Sequence, residues 1–86
     1  MPELSRFYGI VIRMFYGDHS PPHFHAVYQD EEIQVNIDTV HVIEGRMSRR
    51  ATALVLEWAR LHRDELHRAW DLASTNQEPF KIAPLE

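Results

Sequence analysis

The 86 residues contain no cysteine. Disulfides, thiolate nucleophiles and cysteine-type zinc sites are excluded together, and a reducing compartment is compatible with the chain. Glycine is scarce, with three copies, and none builds a phosphate-cradling loop or a Gly-x-Ser-x-Gly elbow. No segment approaches the roughly 20 apolar residues of a membrane span. The start, Met1-Pro2-Glu3-Leu4-Ser5-Arg6, leads into an apolar stretch interrupted by Arg13. A signal peptide has a basic start and an unbroken apolar segment, so the cytoplasm is the expected location, with no membrane partner. A basic surplus is missing too. The formal net charge of −4 argues against nucleic-acid binding by bulk charge, which leaves that role to a local basic patch or to a partner protein.

Hydrophobic residues make up 44% of the chain and recur in patterned runs, so a folded domain is expected rather than disorder. Its length fits a single domain, residues 1–86, with room for two packed layers but not for a deep cavity. Residues 5–16 read as a first strand, with Ile10, Ile12, Met14 and Tyr16 on one face and Arg13 on the other. Pro21-Pro22 interrupts pairing, and a second strand follows from His23 to Gln29. The acidic run Asp30-Glu31-Glu32 turns the chain. Ile33, Val35 and Ile37 then alternate with polar residues, the pattern of a half-buried strand. A short fourth strand spans Val40 to Glu44, and Gly45 ends it.

Beyond Ser48, a good N-cap, the period changes. Ala51, Leu54, Val55, Trp58, Leu61, His62, Leu66, Ala69, Trp70 and Ala73 recur at three- and four-residue steps, which marks one apolar helical stripe over about 48–75. The Arg60/Asp64 and Asp64/Arg68 spacings suit ion pairs on its outer face. A straight helix of about 26 residues would be roughly 39 Å long, too long for this domain, so it either bends or breaks near Leu61–Asp64 or projects toward a partner. An apolar tail over 79–86, with Phe80, Ile82 and Leu85, is placed to fold back onto the sheet. The expected fold is α+β: a small, mostly antiparallel sheet of three to four strands within residues 5–44, with a long C-terminal helix packed on one face.

The chemistry concentrates in Asp18-His19-Ser20-Pro21-Pro22-His23-Phe24-His25, which holds three of the six histidines. His23 and His25 stand two apart on a predicted strand, so both face the same side. Two imidazoles so placed reach one divalent ion at about 2.0–2.1 Å. With His19 or Asp18 as a third ligand they would make a three-ligand site with an open position, suited to zinc first, or to nickel, copper or iron(II). The competing reading has these histidines bonding loop carbonyls and packing on Phe24, Tyr16 and Tyr28, and a third has them contacting a ligand or partner. The reaction such a metal would serve is that of a hydrolase or nuclease; a metal or pH sensor needs the same site without turnover.

Two further groups stand out. Arg46, Arg49 and Arg50 surround the predicted helix start, where cations oppose the macrodipole. They are candidates for contact with an anion or an acidic partner surface, against simple pairing with Asp30, Glu31, Glu32 or Glu44. The distal stripe, Leu66, Trp70 and Ala73, is core if the sheet covers it and an interface if the sheet is too small.

The opening Met1-Pro2-Glu3-Leu4-Ser5-Arg6-Phe7-Tyr8-Gly9-Ile10, the Asp18–His25 block, and the helix text Leu54-Val55-Leu56-Glu57-Trp58-Ala59 with Leu61-His62-Arg63-Asp64-Glu65-Leu66 and Trp70 resemble a prokaryotic family, domain of unknown function 4160. The resemblance covers nearly the whole chain, and Pro21-Pro22-His23-Phe24-His25 is its most specific element. It implies a small stand-alone protein whose gene often neighbours that of another small domain, in toxin–antitoxin-like arrangements. It supplies no reaction and no catalytic residue. Where similar sequences have a glycine-containing turn after the third strand, this chain has Asp38-Thr39-Val40-His41. The expected function is a cytoplasmic regulatory or interaction module acting with a small protein partner encoded nearby, or as a homo-oligomer. The alternative is the metal-dependent enzyme or sensor.

Overall fold

A computed structural model describes residues 2–86; Met1, the first residue of the expected domain, lies outside them. Five strands form one antiparallel sheet in chain order: β1 (Glu3–Phe7), β2 (Ile10–Arg13), β3 (His23–Tyr28), β4 (Glu31–Asn36) and β5 (Val42–Arg46). Two helices follow, α1 (Arg49–Leu61) and α2 (Arg63–Ser74). The α+β class and antiparallel sheet agree with expectation, while the strand count and the single helix need correction.

The predicted first strand is two strands. Tyr8 (φ 51°) and Gly9 (φ 80°) both take positive φ, as a two-residue primed hairpin turn requires. Ile10 and Ile12 share the buried face as the alternation predicts, while the turn at 8–9 divides the expected strand. The last strand begins at Val42 rather than Val40 and runs through Gly45. Gly45 sits at φ 82°, and a Cβ there would lie 2.2 Å from the Glu32 carbonyl oxygen, so only glycine lets β5 approach β4 at this point. Residues 37–41 close without glycine because the Asn36 side chain accepts a bond from the Thr39 amide at 3.0 Å.

The helix breaks at His62, which ends α1 and precedes α2. No proline or glycine causes this. The longest dimension of the molecule is 32 Å, and a straight helix would overrun it. Broken, both halves bury their stripe: Ala51, Val55, Trp58 and Ala59 from α1, and Leu66, Ala69, Trp70 and Ala73 from α2. Arg63 fixes the break by donating to the Ile37 and Asp38 carbonyls at 3.3 and 2.9 Å. The expected Arg60/Asp64 and Asp64/Arg68 pairs do not form among the described residues. His62–Glu65 and His67–Asp38 pairs, at 2.6 and 3.0 Å, take their place. The Ser48 cap does form, with Oγ accepting from the Ala51 amide at 3.2 Å.

The core lies between the helices and one face of the sheet. Trp58, fully buried, lies tilted against Phe7 and meets Phe24 edge-on. Its indole N–H donates to the Ala83 carbonyl at 2.8 Å, and the Ile82 amide donates to the Leu4 carbonyl at the same distance. The apolar tail thus closes over the β1 edge. Leu66, Trp70 and Ala73 are buried within this chain, so they offer no surface to a partner, contrary to the interface expectation.

Candidate metal centre

β3 departs from the sheet's alternation. His23, Phe24, His25 and Ala26 are buried in succession, which requires cover on both faces. Phe24 and Ala26 face the helices with the core; His23 and His25 face the other way. Their cover is the segment that crosses from β2 to β3, together with Trp70 of α2 beside His23. The Gly17 amide donates to the Ala73 carbonyl at 2.9 Å and the Ile37 amide to the Pro22 carbonyl at 3.0 Å, so the crossing is pinned to α2 and to the end of β4. It lays the Phe15 ring flat on His25, with centroids 4.2 Å apart and planes 11° from parallel. His23 rests against Trp70 at 5.3 Å.

The same crossing delivers Asp18. Its Oδ2 lies 3.0 Å from His23 Nε2 and 3.5 Å from His25 Nε2. The three candidate ligand atoms lie within 4.8 Å of one another. A tetrahedral ion with bonds of about 2.0–2.1 Å separates its ligand atoms by about 3.3 Å, and the two Asp18 distances bracket that value.

The outer ring nitrogens decide what the inner ones present. His23 Nδ1 lies 2.7 Å from the Pro21 carbonyl oxygen, which can only accept. His25 Nδ1 lies 2.9 Å from Glu32 Oε2, again an acceptor. Both Nδ1 atoms must therefore carry the proton. In neutral histidines both Nε2 lone pairs then point at a carboxylate, so three electron-rich atoms converge and only a cation between them relieves the repulsion. Protons on both Nε2 atoms would do this, and so would one divalent metal ion. A carbonyl and a carboxylate behind the two imidazoles are the outer partners that ligating histidines ordinarily have.

Asp18 is poised as an anion. Burial raises its pKa, but the His19 amide, donating to Oδ1 at 2.9 Å, and the adjacent His23 and His25 outweigh that, and the net shift is downward. Its side chain is 23% exposed against 8% for each histidine, so the group opens toward solvent on the Asp18 side.

Of the predicted ligands, the structure brings together Asp18, His23 and His25. His19 is not among them: it is exposed and contributes its main-chain amide. Three more residues join them: Glu32 from the expected acidic turn, Phe15 from the expected first strand and Trp70 from the apolar helical stripe. Glu32 was findable, since a two-residue turn at 29–30 sets Val27 opposite Glu32 and His25 opposite Gln34, which makes Glu32 a diagonal neighbour of His25. Arg46, Arg49 and Arg50 are exposed and form no ion pair among the described residues, so the expected pairing with nearby acids is absent; Glu31 instead accepts from the Ser48 amide at 3.0 Å.

A family model described as domain of unknown function (DUF4160) matches residues 9–71, a span that contains the whole site. No curated protein and no solved structure matches the chain.

Proposed function

We propose that this chain, which belongs to the family described as domain of unknown function (DUF4160), binds a divalent transition metal through Asp18 Oδ2, His23 Nε2 and His25 Nε2. The observation that carries this reading is the tethering of both Nδ1 atoms to acceptors. In neutral histidines it leaves two lone pairs and a carboxylate oxygen aimed at one point in a largely buried place. Two nitrogens and one oxygen suit zinc first among the divalent ions. Three protein ligands leave at least one position for an outside ligand, and an ion there would act as a Lewis acid. A hydrolase, a nuclease or a metal sensor each needs this much. Asp18 would neutralise charge, Glu32 would hold the His25 ring and keep its tautomer, and Phe15 and Trp70 would keep water off the imidazole faces.

The test is metal analysis of protein prepared without a polyhistidine tag and reconstituted with zinc. About one equivalent is expected, retained through gel filtration. Less than about 0.1 equivalent would remove the proposal.

A second reading, a partner-binding module of the toxin–antitoxin type, is favoured by β5. All five of its residues are exposed; it lies at the sheet's edge, and Val42 and Ile43 present apolar surface there. Arg46, Arg49 and Arg50 flank this edge and suit an acidic protein partner. Co-expression with the product of the neighbouring gene, followed by size-exclusion chromatography, would give a stable complex; a non-associating monomer would speak against it.

A further inference from the structure

The face of the sheet turned away from the helices is ordered by register. One row runs Glu3, Arg13, His25, Gln34, Glu44 across the five strands. Arg13 is the direct cross-strand neighbour of His25 on that face, which sets their Cβ atoms about 4.5–5.5 Å apart. Gln34 flanks His25 on the other side. Arg13 is half-buried and has no carboxylate within 4.0 Å among the described residues. Glu3 stands opposite it in register, yet gives both oxygens to Arg6, at 2.8 and 3.2 Å.

Charge counting then leaves a remainder. Asp18 and Glu32 supply two negative charges beside the histidines, and a divalent ion cancels them. Arg13 has no close partner among the described residues and feels only the more distant Glu3, whose carboxylate is already engaged by Arg6, so its charge stands largely free beside the site. A second cation carried at the register position next to His25 is unfavourable beside a metal ion unless an anion lies between them. Guanidinium presents a planar fork that matches the paired oxygens of carboxylate or phosphate.

Resting on the metal reading, we infer that the site's outside ligand is a small oxyanion, a carboxylate or phosphate group. One oxygen takes the open metal position, and the remaining oxygens accept hydrogen bonds from Arg13, with the Gln34 amide on the opposite flank. The ligand enters from the side where Asp18 is exposed, over an open sheet face rather than into a cavity.

The experiment uses the full chain loaded with cobalt(II), whose visible absorption reports its ligands, in chloride-free buffer. Inorganic phosphate and acetate are titrated separately, with nitrate as a weakly coordinating control. At least one of phosphate and acetate is expected to change the spectrum saturably while nitrate does not, and which of them binds more tightly identifies the group. Arg13→Gln should weaken that binding about tenfold or more, and Arg13→Lys should fall between. Cobalt affinity in Arg13→Gln should be at least that of the unaltered chain, because a neighbouring cation has been removed. An unchanged anion affinity in Arg13→Gln, or a spectrum indifferent to both anions, overturns this inference while the metal site stands. Failure of the unaltered chain to bind cobalt overturns both.

Discussion

The two faces of the sheet are built on opposite rules. On the helix side Leu4, Ile10, Ile12, Phe24, Ile33 and Val35 are at most 1% exposed, and their surroundings are apolar apart from the buried Ser5 opposite Ile12. On the other side Arg6, Glu32, Glu44 and Arg46 stand in solvent, except where residues 14–22 cross over and bury His23 and His25. The first burial needs no function to explain it, because transfer of apolar surface from water drives it. The second runs against that tendency: two imidazoles are taken out of water on a polar face and held by acceptors, and a chain seeking stability alone would have used apolar residues there. Polar burial away from the core is thus a better pointer to the site than any motif in this sequence.

This contrast predicts a hierarchy of effects. Trp58→Ala should cost the most, about 3–5 kcal/mol, since it removes the largest fully buried side chain and a buried hydrogen bond together. Chemical denaturation would measure it, and the loss should be similar with and without zinc. His25→Ala should do the reverse. Zinc affinity should fall at least a hundredfold, about 2.7 kcal/mol, while the unloaded protein loses less stability than in Trp58→Ala. If His25→Ala unfolds the chain as severely as Trp58→Ala, the two faces are not distinct in the way argued.

Gly45→Ala comes next. The substitution puts a Cβ against the Glu32 carbonyl in a backbone region costly for L-residues, so a loss of about 2 kcal/mol is expected. Because the clash falls on the Glu32 main chain, zinc affinity should fall as well, linking an edge strand to the site. Glu32→Gln is subtler. The amide still accepts from His25 Nδ1 but without charge, and zinc affinity should drop about tenfold, read by competition with a chelator.

The legible parts of this molecule were those fixed by local periodicity. The Ile33-Val35-Ile37 alternation, the Ser48 cap and the apolar stripe from Ala51 to Ala73 each reflect forces acting within a few residues. The illegible parts were set by fit at a distance. Nothing near His62 breaks a helix; the size of the sheet does. Tyr8 is a poor turn signal, so the first hairpin went unseen although Gly9 marked it. At the site, the spacing of His23 and His25 announced a shared face, and the adjacent Asp18 was a natural third member. Choosing Asp18 over His19 required the course of the crossing segment, which Gly17 and Pro22 fix through bonds to Ala73 and Ile37. Glu32 required the register of a hairpin.

The smallest effect concerns acid. Asp18 has a folded pKa below its ordinary value: burial alone would raise it, and the His19 amide with the flanking histidines brings it down. A carboxyl depressed in the folded state binds its proton less readily there than in the unfolded chain. Its stabilising contribution is therefore complete above the unfolded value, about 3.9 for aspartate, and is lost as pH falls through the lower folded value. Asp18→Asn removes that contribution. In the metal-free protein, the difference in stability between the unaltered chain and Asp18→Asn should shrink as pH falls below about 4. Thermal melts across that range in the presence of a chelator would measure it. A difference that grows as pH falls below about 4 would mean that the Asp18 carboxylate is strained against its neighbours rather than held by them, and the convergence on a cation would lose its electrostatic basis.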